Sequence, residues 1–427
     1  MQSPMDKANN TKDMLGRSAL ISVQQAQDIL LDHLAGIKVA TESIALTEAF
    51  DRILAEPVTS PVNLPTEPRS TMDGFAVRAA DTFGASQSMP CYLNITGEVK
   101  MGEAPQGKVQ QGCCYKIPTG GLLPLGADGV VMLEQSVPVD DTLIEIVKGV
   151  GSGTNIIAKG EDIGLGEEAL PAGRLLRPQD IGLLAGLGIG EVTVRKKVRV
   201  GILATGDEII AHTEVPGPGQ IRNINSPALA GQVLRAGGVY TDYPVVSDRL
   251  EIFLPALQLA ARENDIVLFS GGSSVGVRDL GEQVIEALGP PGILVHGVTL
   301  KPGKPVLIGM SNKTPIFGLP GHPVSAMVCF DFFVRPAMQS LSGELKTPKL
   351  PIPWVMARLT RNINSAPSRR DVVRVKLFQE DGAWNAAPIL GKSGSISTLS
   401  RADGYFLIEE DSQGVTENTT IKVYLYP

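Results

Sequence analysis

The stretch that most constrains the fold is 198–343, where runs of strand length alternate with runs of helical period. Such alternation builds a parallel sheet with helices on both faces, because parallel strands need crossover connections. At its centre lies 265–280, DIVLFSGGSSVGVRDL. Residues 265–270 form an apolar run, Gly271-Gly272 breaks it, Ser273 and Ser274 follow, and 279–288 reads as an amphipathic helix. Glycines let backbone N–H groups approach a ligand, and a helix N-terminus adds partial positive charge, so the pattern suits an anion. It equally suits an ordinary tight turn. Three further turns follow strand-like runs: Thr205-Gly206-Asp207-Glu208 after 198–204, Lys301-Pro302-Gly303-Lys304-Pro305 after 293–300, and GLPGHP at 318–323 after 314–317. Ligands of open α/β sheets bind outside the carboxyl ends of the strands, so four such turns on one edge predict a pocket.

The pocket would carry mixed charge. Lys301 and Lys304 sit in a Pro/Gly frame and can present cations to phosphate or oxyanion groups, or else be solvated surface lysines. Asp207, Glu208 and Asp279 beside them suggest a hard cation such as Mg²⁺; Asp207 and Asp279 also suit helix caps. Gly321-His322-Pro323 opens an apolar helix over 324–338, with Pro323 at the first helical position and free N–H groups for an anion. His322 is either a ligand contact or a cap. Ser226-Pro227 reads as a cap followed by a first-turn proline, and Asp248 with Glu251 reads as a capping box. Pro255 should kink or delay the next helix.

Composition narrows the classes. The 427 residues suggest three or four domains, and 43% hydrophobic content supports real cores. A net charge of -7 argues against a nucleic-acid partner and requires any anion pocket to work against an acidic field. Cys91, Cys113, Cys114 and Cys329 form no CxxC and read as buried thiols of a reducing compartment. The first residues lack an apolar core and no run reaches spanning length, so the expectation is a cytoplasmic protein away from membranes. There is no His/Cys cluster for zinc, no hydrolase triad, and GGSSVG lacks the P-loop spacing.

Along the chain, the start reads as a tail and 22–36 as a helix capped by Ser22. Residues 57–68 are proline-rich, 91–150 read as short strands, and a helix falls near 178–186. The β region looks inserted into another domain. Residues 350–427 read as a small β-barrel or sandwich. STMDG (70–74) and PTGG (118–121) read as turns, to which sequence physics alone assigns no function.

Taken together, the motifs resemble the MoeA family, the molybdopterin molybdenumtransferases, which include the E domain of gephyrin. The resemblance is carried by STMDGFA (70–76), IPTGGLLPLGADGVVMLE (117–134), KGEDIG (159–164), ATGDEI (204–209), GQIRNINS (219–226), SGGSSVGVRD (270–279), LKPGKPVLIG (300–309) and GLPGHPVSA (318–326). It implies a multidomain α/β and β protein. Residues 1–18 would be a tail, 19–56 and 165–195 an elongated segmented domain I, and 57–164 an inserted β-rich domain II. Residues 196–345 would be a molybdopterin-binding three-layer α/β/α domain III, and 346–427 a β-barrel domain IV.

The implied reaction inserts molybdate, or tungstate, into adenylylated molybdopterin with release of AMP and use of Mg²⁺. Asp73, Thr119, Asp207, Glu208 and Asp279 would be catalytic, with Glu208 and Asp279 on the metal. Gly271, Gly272, Ser273, Ser274, Lys301, Lys304, Pro320, Gly321, His322, Pro323 and Asp162 would bind substrate. The family forms elongated homodimers, so Asp73 and Thr119 would act on the partner's site. Molybdopterin adenylyltransferase and molybdoenzyme maturation proteins are the implied partners. Three positions depart from the family pattern: Asn223 replaces Asp, Ser273 replaces Val and His322 replaces Asn. Asn223 removes a carboxylate, and His322 with Ser273 should bias the choice of oxyanion. The competing readings are a non-catalytic pterin-binding scaffold and a molybdopterin adenylyltransferase.

Overall fold

The computed structural model describes residues 20–271, 275–344 and 353–426. They form two compact units, one of residues 20–42, 51–55 and 193–426, the other of Ser43–Phe50 and Glu56–Val192.

The first unit contains a six-stranded sheet in the order Val239–Asp242, Arg199–Thr205, Ile266–Gly271, Thr314–Pro320, Leu307–Ser311, Pro291–His296. Its alternating side chains feed two cores, as the two-residue period of a strand requires. Val200, Ile202, Ile266, Leu268, Phe317 and Leu319 face one side, and Leu203, Val267, Phe269 and Ile316 the other. Helices Asn225–Arg235 and Pro323–Cys329 cover the first face, together with Val23–His33, which Ser22 and Gln25 start with a reciprocal capping box. Helices Leu250–Glu263 and Val275–Ala287 cover the second.

The alternation predicts an all-parallel sheet, and the fold departs from it at one strand. Leu307–Ser311 runs antiparallel to both of its neighbours. The short turn that follows Lys301 reverses the chain there without a crossover helix. The run expected over 293–300 is also divided: Pro291–His296 belongs to the sheet, whereas Leu300–Lys301 pairs with Arg370–Asp371 of the C-terminal barrel.

Helix starts differ in detail. Asn225 and Ser226 are already helical, so Ser226 is not the cap; the Asn223 amide oxygen takes the Ser226 N–H at 3.1 Å, and the Asn223 amide nitrogen donates to Ser226 Oγ at 2.9 Å. Asp248 makes no capping box either, because Thr205 draws its carboxylate away to the sheet edge. The helix Leu250–Glu263 continues through Pro255. The helix after the glycine turn begins at Val275, earlier than 279. Beyond Cys329 the apolar helix passes through a π turn, Phe330–Val334, into Arg335–Ser342.

The C-terminal strands Trp354–Leu359, Arg370–Glu380, Ala383–Pro388, Gly404–Ile408 and Thr420–Leu425 close into a five-stranded barrel. Closure removes free edges, and Leu359, Val375, Ala386, Phe406 and Val423 fill the interior.

The second unit carries a six-stranded sheet in the order Gly129–Met132, Gly74–Val77, Cys113–Ile117, Cys91–Glu98, Leu143–Ile146, Ser136–Pro138. It also holds the helix Pro178–Gly186, whose first turn is fixed by Asp180. Among the described residues the four cysteines are free thiols. Burial pushes the Cys114 thiol up to about 12. No helix of the described residues is long and apolar enough to cross a membrane.

Candidate functional site

Strand register brings the glycine turns together. Thr205 pairs with Gly271, and Gly271 with Pro320, so three turns leave the sheet side by side at its carboxyl edge. Gly271 has to be glycine: a Cβ there would lie 2.2 Å from Thr205 Cγ2 and 2.6 Å from its carbonyl oxygen. Above this edge opens a cleft of about 770 Å³, lined on one side by the sheet turns and on the other by the barrel.

Thr205, Gly271, Lys301, Lys304, Pro320, Gly321 and His322 all line the cleft. The Lys301–Lys304 turn is anchored from beneath, where the buried Cys329 thiol donates to the Gly303 carbonyl at 3.5 Å. Asn225 steadies the opposite turn by donating to the Gly321 carbonyl at 2.9 Å. Pro323 is buried at the first position of its helix. Gly272, Ser273 and Ser274 lie outside the described residues. Asp279 lies in the helix Val275–Ala287, and its side chain is outside the described part.

The barrel contributes residues that the motifs did not announce. Arg369, Asp371, Arg374, Lys392 and Ser393 complete the far wall. Asp371 is 4% exposed and holds two cations, Arg369 Nε at 2.8 Å and Lys301 Nζ at 3.4 Å. Arg374 is 7% exposed and donates to the Gly391 carbonyl at 3.4 Å, while its Nε has no hydrogen-bond partner among the described residues. The described lining thus carries Lys301, Lys304, Arg369, Arg374 and Lys392 against Asp371 alone. In a chain of net charge -7 this concentrates positive potential where an anion can use it. The sequence signals are SRRD (368–371) and GKSGS (391–395), basic loops flanking barrel strands.

Two expectations about helix starts are corrected here. His322 stands at the N-cap position, but its side chain makes no cap bond; its Nδ1 lies 2.7 Å from Ser393 Oγ instead. The Val324 N–H, expected to be free for an anion, is taken by the Ser393 carbonyl at 3.2 Å. Among the described residues the cleft's positive charge comes from side chains, and the Val324 N–H is already engaged.

Carboxylates gather after Thr205. The Thr205 hydroxyl donates to Asp248, and the Ser247 hydroxyl donates to Asp207 at 2.6 Å. Burial pushes the Asp248 carboxyl up, and neighbouring Glu208 and Asp207 add to the shift against the Thr205 hydrogen bond. Asp248 is thus a member of this acidic group that the sequence disguised as a cap. Among the described residues no three His, Cys, Asp or Glu side chains converge as a metal cage. Asn223, where the family pattern has a carboxylate, is committed to the helix start through Ser226.

In the second unit, STMDG and PTGG lie against each other. Gly120 donates to the Ser70 carbonyl at 2.8 Å, Ser70 donates to the Gly121 carbonyl at 2.9 Å, and Thr119 N–H donates to Asp73 Oδ1 at 2.7 Å. Hydrogen bonds from the Thr119 backbone and hydroxyl hold the exposed Asp73 carboxyl below the usual range. Gly74 permits the turn, since a Cβ would fall 1.9 Å from the Val131 carbonyl oxygen. Asp162 is exposed, with its N–H on the Leu64 carbonyl at 3.0 Å.

A doubly covered α/β sheet facing a closed barrel across a cation-lined cleft defines a multidomain α/β and β protein with an electropositive cleft. Comparison with known proteins sharpens that class. Residues 21–188 match the MoeA N-terminal region (domain I and II), 201–340 a probable molybdopterin binding domain, and 356–426 the MoeA C-terminal region (domain IV). The chain is 31% identical to a molybdopterin molybdenumtransferase of Bacillus subtilis, over 90% of each protein. It is also 31% identical to the molybdopterin molybdenumtransferase of Haemophilus influenzae, over 95% of this chain and 98% of that protein. The crystal structure of a molybdopterin biosynthesis MoeA protein from Pyrococcus horikoshii superposes with a TM-score of 0.79 at 32% identity, covering 96% of this chain and all of that one. The chain belongs to the MoeA family.

Proposed function

We propose that this chain is a molybdopterin molybdenumtransferase that inserts molybdate into adenylylated molybdopterin and releases AMP. The observation that carries this reading is the cleft: five cations against one carboxylate, between the barrel and the carboxyl edge of the sheet, whose segment matches a molybdopterin binding domain. Its dianionic and polyphosphate ligands need such a field. Lys301, Lys304 and Arg369 hold the anionic oxygens of the pterin phosphate or the oxyanion. Asp207, Glu208 and Asp279 position water for cleavage of the phosphoanhydride. The reaction then depends mainly on positioning and charge neutralisation. Tungstate is the alternative cargo.

Mg²⁺ fits this site as a shared ion. The donor set around Thr205 is all oxygen, as a hard cation prefers. Without an all-protein cage among the described residues, the ion would sit between one or two carboxylates and the substrate phosphates, its usual arrangement. Glu208 and Asp279 are the proposed holders. Bound there, Mg²⁺ would neutralise phosphoryl charge.

The protein works as a cytoplasmic homodimer in this reading. Asp73 and Thr119 are exposed, tied to each other and rigidly framed, as residues serving another copy would be. Asp73 of the partner subunit then completes each cleft. The test is complementation. Asp73→Asn and Lys301→Ala dimers should each be nearly inactive, and after subunit exchange an equal mixture should recover about a quarter of wild-type activity, because half the dimers carry one intact site of two. No recovery despite proven exchange would place both residues in one subunit's site.

A further inference from the structure

His322 is gripped from the opposite wall of its own cleft. Ser393 Oγ lies 2.7 Å from His322 Nδ1, and the Ser393 carbonyl takes the Val324 N–H at 3.2 Å. Together the two bonds seat a barrel loop on the turn that leaves the sheet at Pro320. With Nδ1 engaged, Nε2 has no hydrogen-bond partner among the described residues, and the exposed ring lines the cleft. Gly394 lies beside the ring's outer edge without crowding it: even a Cβ on it would stand 3.7 Å from Cδ2 and 4.0 Å from Nε2, ordinary contact distances.

A neutral imidazole carries one ring proton, and the partner at one nitrogen decides where it resides. A serine hydroxyl can donate to Nδ1, which places the proton on Nε2. An oxyanion held by Lys301 and Lys304 accepts from that N–H and favours the same tautomer. Lysines supply charge without direction, whereas a ring held at Nδ1 supplies a donor at a set position. We propose that His322 Nε2–H is a specificity-determining contact to the oxyanion substrate, with Ser393 as its positioning residue. This rests on the reading of the cleft as the site of oxyanion insertion.

The experiment measures AMP release against molybdate concentration for wild type, His322→Ala, His322→Gln and Ser393→Ala. His322→Ala should raise the molybdate KM about tenfold, the size of one hydrogen bond to a charged group, with kcat changed far less. Ser393→Ala keeps the backbone bond to Val324 and should raise KM about threefold. His322→Gln, whose amide nitrogen can donate from near the Nε2 position, should recover most of the loss. Nitrogen NMR of the imidazole with molybdate alone should show the Nε2–H tautomer in wild type and a mixture in Ser393→Ala. An unchanged molybdate KM in His322→Ala, or an Nδ1–H tautomer in molybdate-bound wild type, overturns the proposal. A wild type that releases no AMP overturns the insertase reading instead, and the NMR titration still decides the His322 contact.

Discussion

Lys301→Ala should lower kcat/KM for the oxyanion by about 10²–10³, the cost of removing one preorganised charge-stabilising donor. Lys301 and Arg369 share the buried carboxylate of Asp371, leaving one net positive charge at that point of the cleft. Without Lys301, Arg369 and Asp371 cancel, and the oxyanion loses the surplus. Stability should hardly move. The Lys301 side chain is 55% exposed, and an exposed ion pair contributes about 0–1 kcal/mol. The measurement is a pair of curves, AMP release against molybdate and thermal unfolding. A kinetic loss with a matched fall in melting temperature would mean that Lys301 supports the barrel contact and not the anion.

Asp180→Ala should cost the second unit about 3 kcal/mol, the lower end for breaking a buried pair. Asp180 is 4% exposed and accepts five bonds: Arg174 Nε and Nη2 at 3.1 Å each, Arg177 Nε at 3.0 Å, Arg177 Nη2 at 3.2 Å and the Arg177 N–H at 2.9 Å. Truncation leaves two guanidinium groups facing an empty space and uncaps the helix Pro178–Gly186. The side chains of Arg174 and Arg177 are 24% and 41% exposed, so water recovers part of the loss. The unfolding transition of that unit should fall by roughly 6–12 °C. Asp180→Asn, which keeps the acceptor for Arg177 N–H, should lose less. Equal losses in the two variants would show that charge, and not the cap, accounts for the whole effect.

Elements whose identity is local are legible in the amino-acid sequence itself. The Ser22-capped helix, the helix near 178–186 and the strand-rich C-terminal region follow from cap chemistry and period, although Gln25's part in the cap and the barrel strand Ala383–Pro388 do not stand out. The glycine turns at Thr205, Gly271 and Pro320 are legible as well, because strand length and a break at Gly or Pro fix where a strand must end. Their alignment into one row is an inference from fold class, and the register carries it through.

What the sequence hides depends on partners distant in the chain. Asp248 has the local look of a cap, yet Thr205 offers it a better bond across the sheet edge. Ser226 stands before Pro227 like a cap, but Asn223 reaches forward to do that work. Arg369, Lys392 and Ser393 line the cleft in a fold where Leu300–Lys301 pairs with Arg370–Asp371 at the start of a barrel strand. No period or motif encodes that docking. Asp73 and Thr119 belong together in the sequence only through the family resemblance, and the 2.7 Å hydrogen bond supplies the physical reason.

The most direct measurement incubates the purified protein with adenylylated molybdopterin, Mg²⁺ and either molybdate or tungstate, and follows AMP and the metal–dithiolene product together. The account predicts AMP release that depends on the oxyanion and matches the metal inserted. Tight pterin binding without AMP from either oxyanion would contradict it and leave a binding protein.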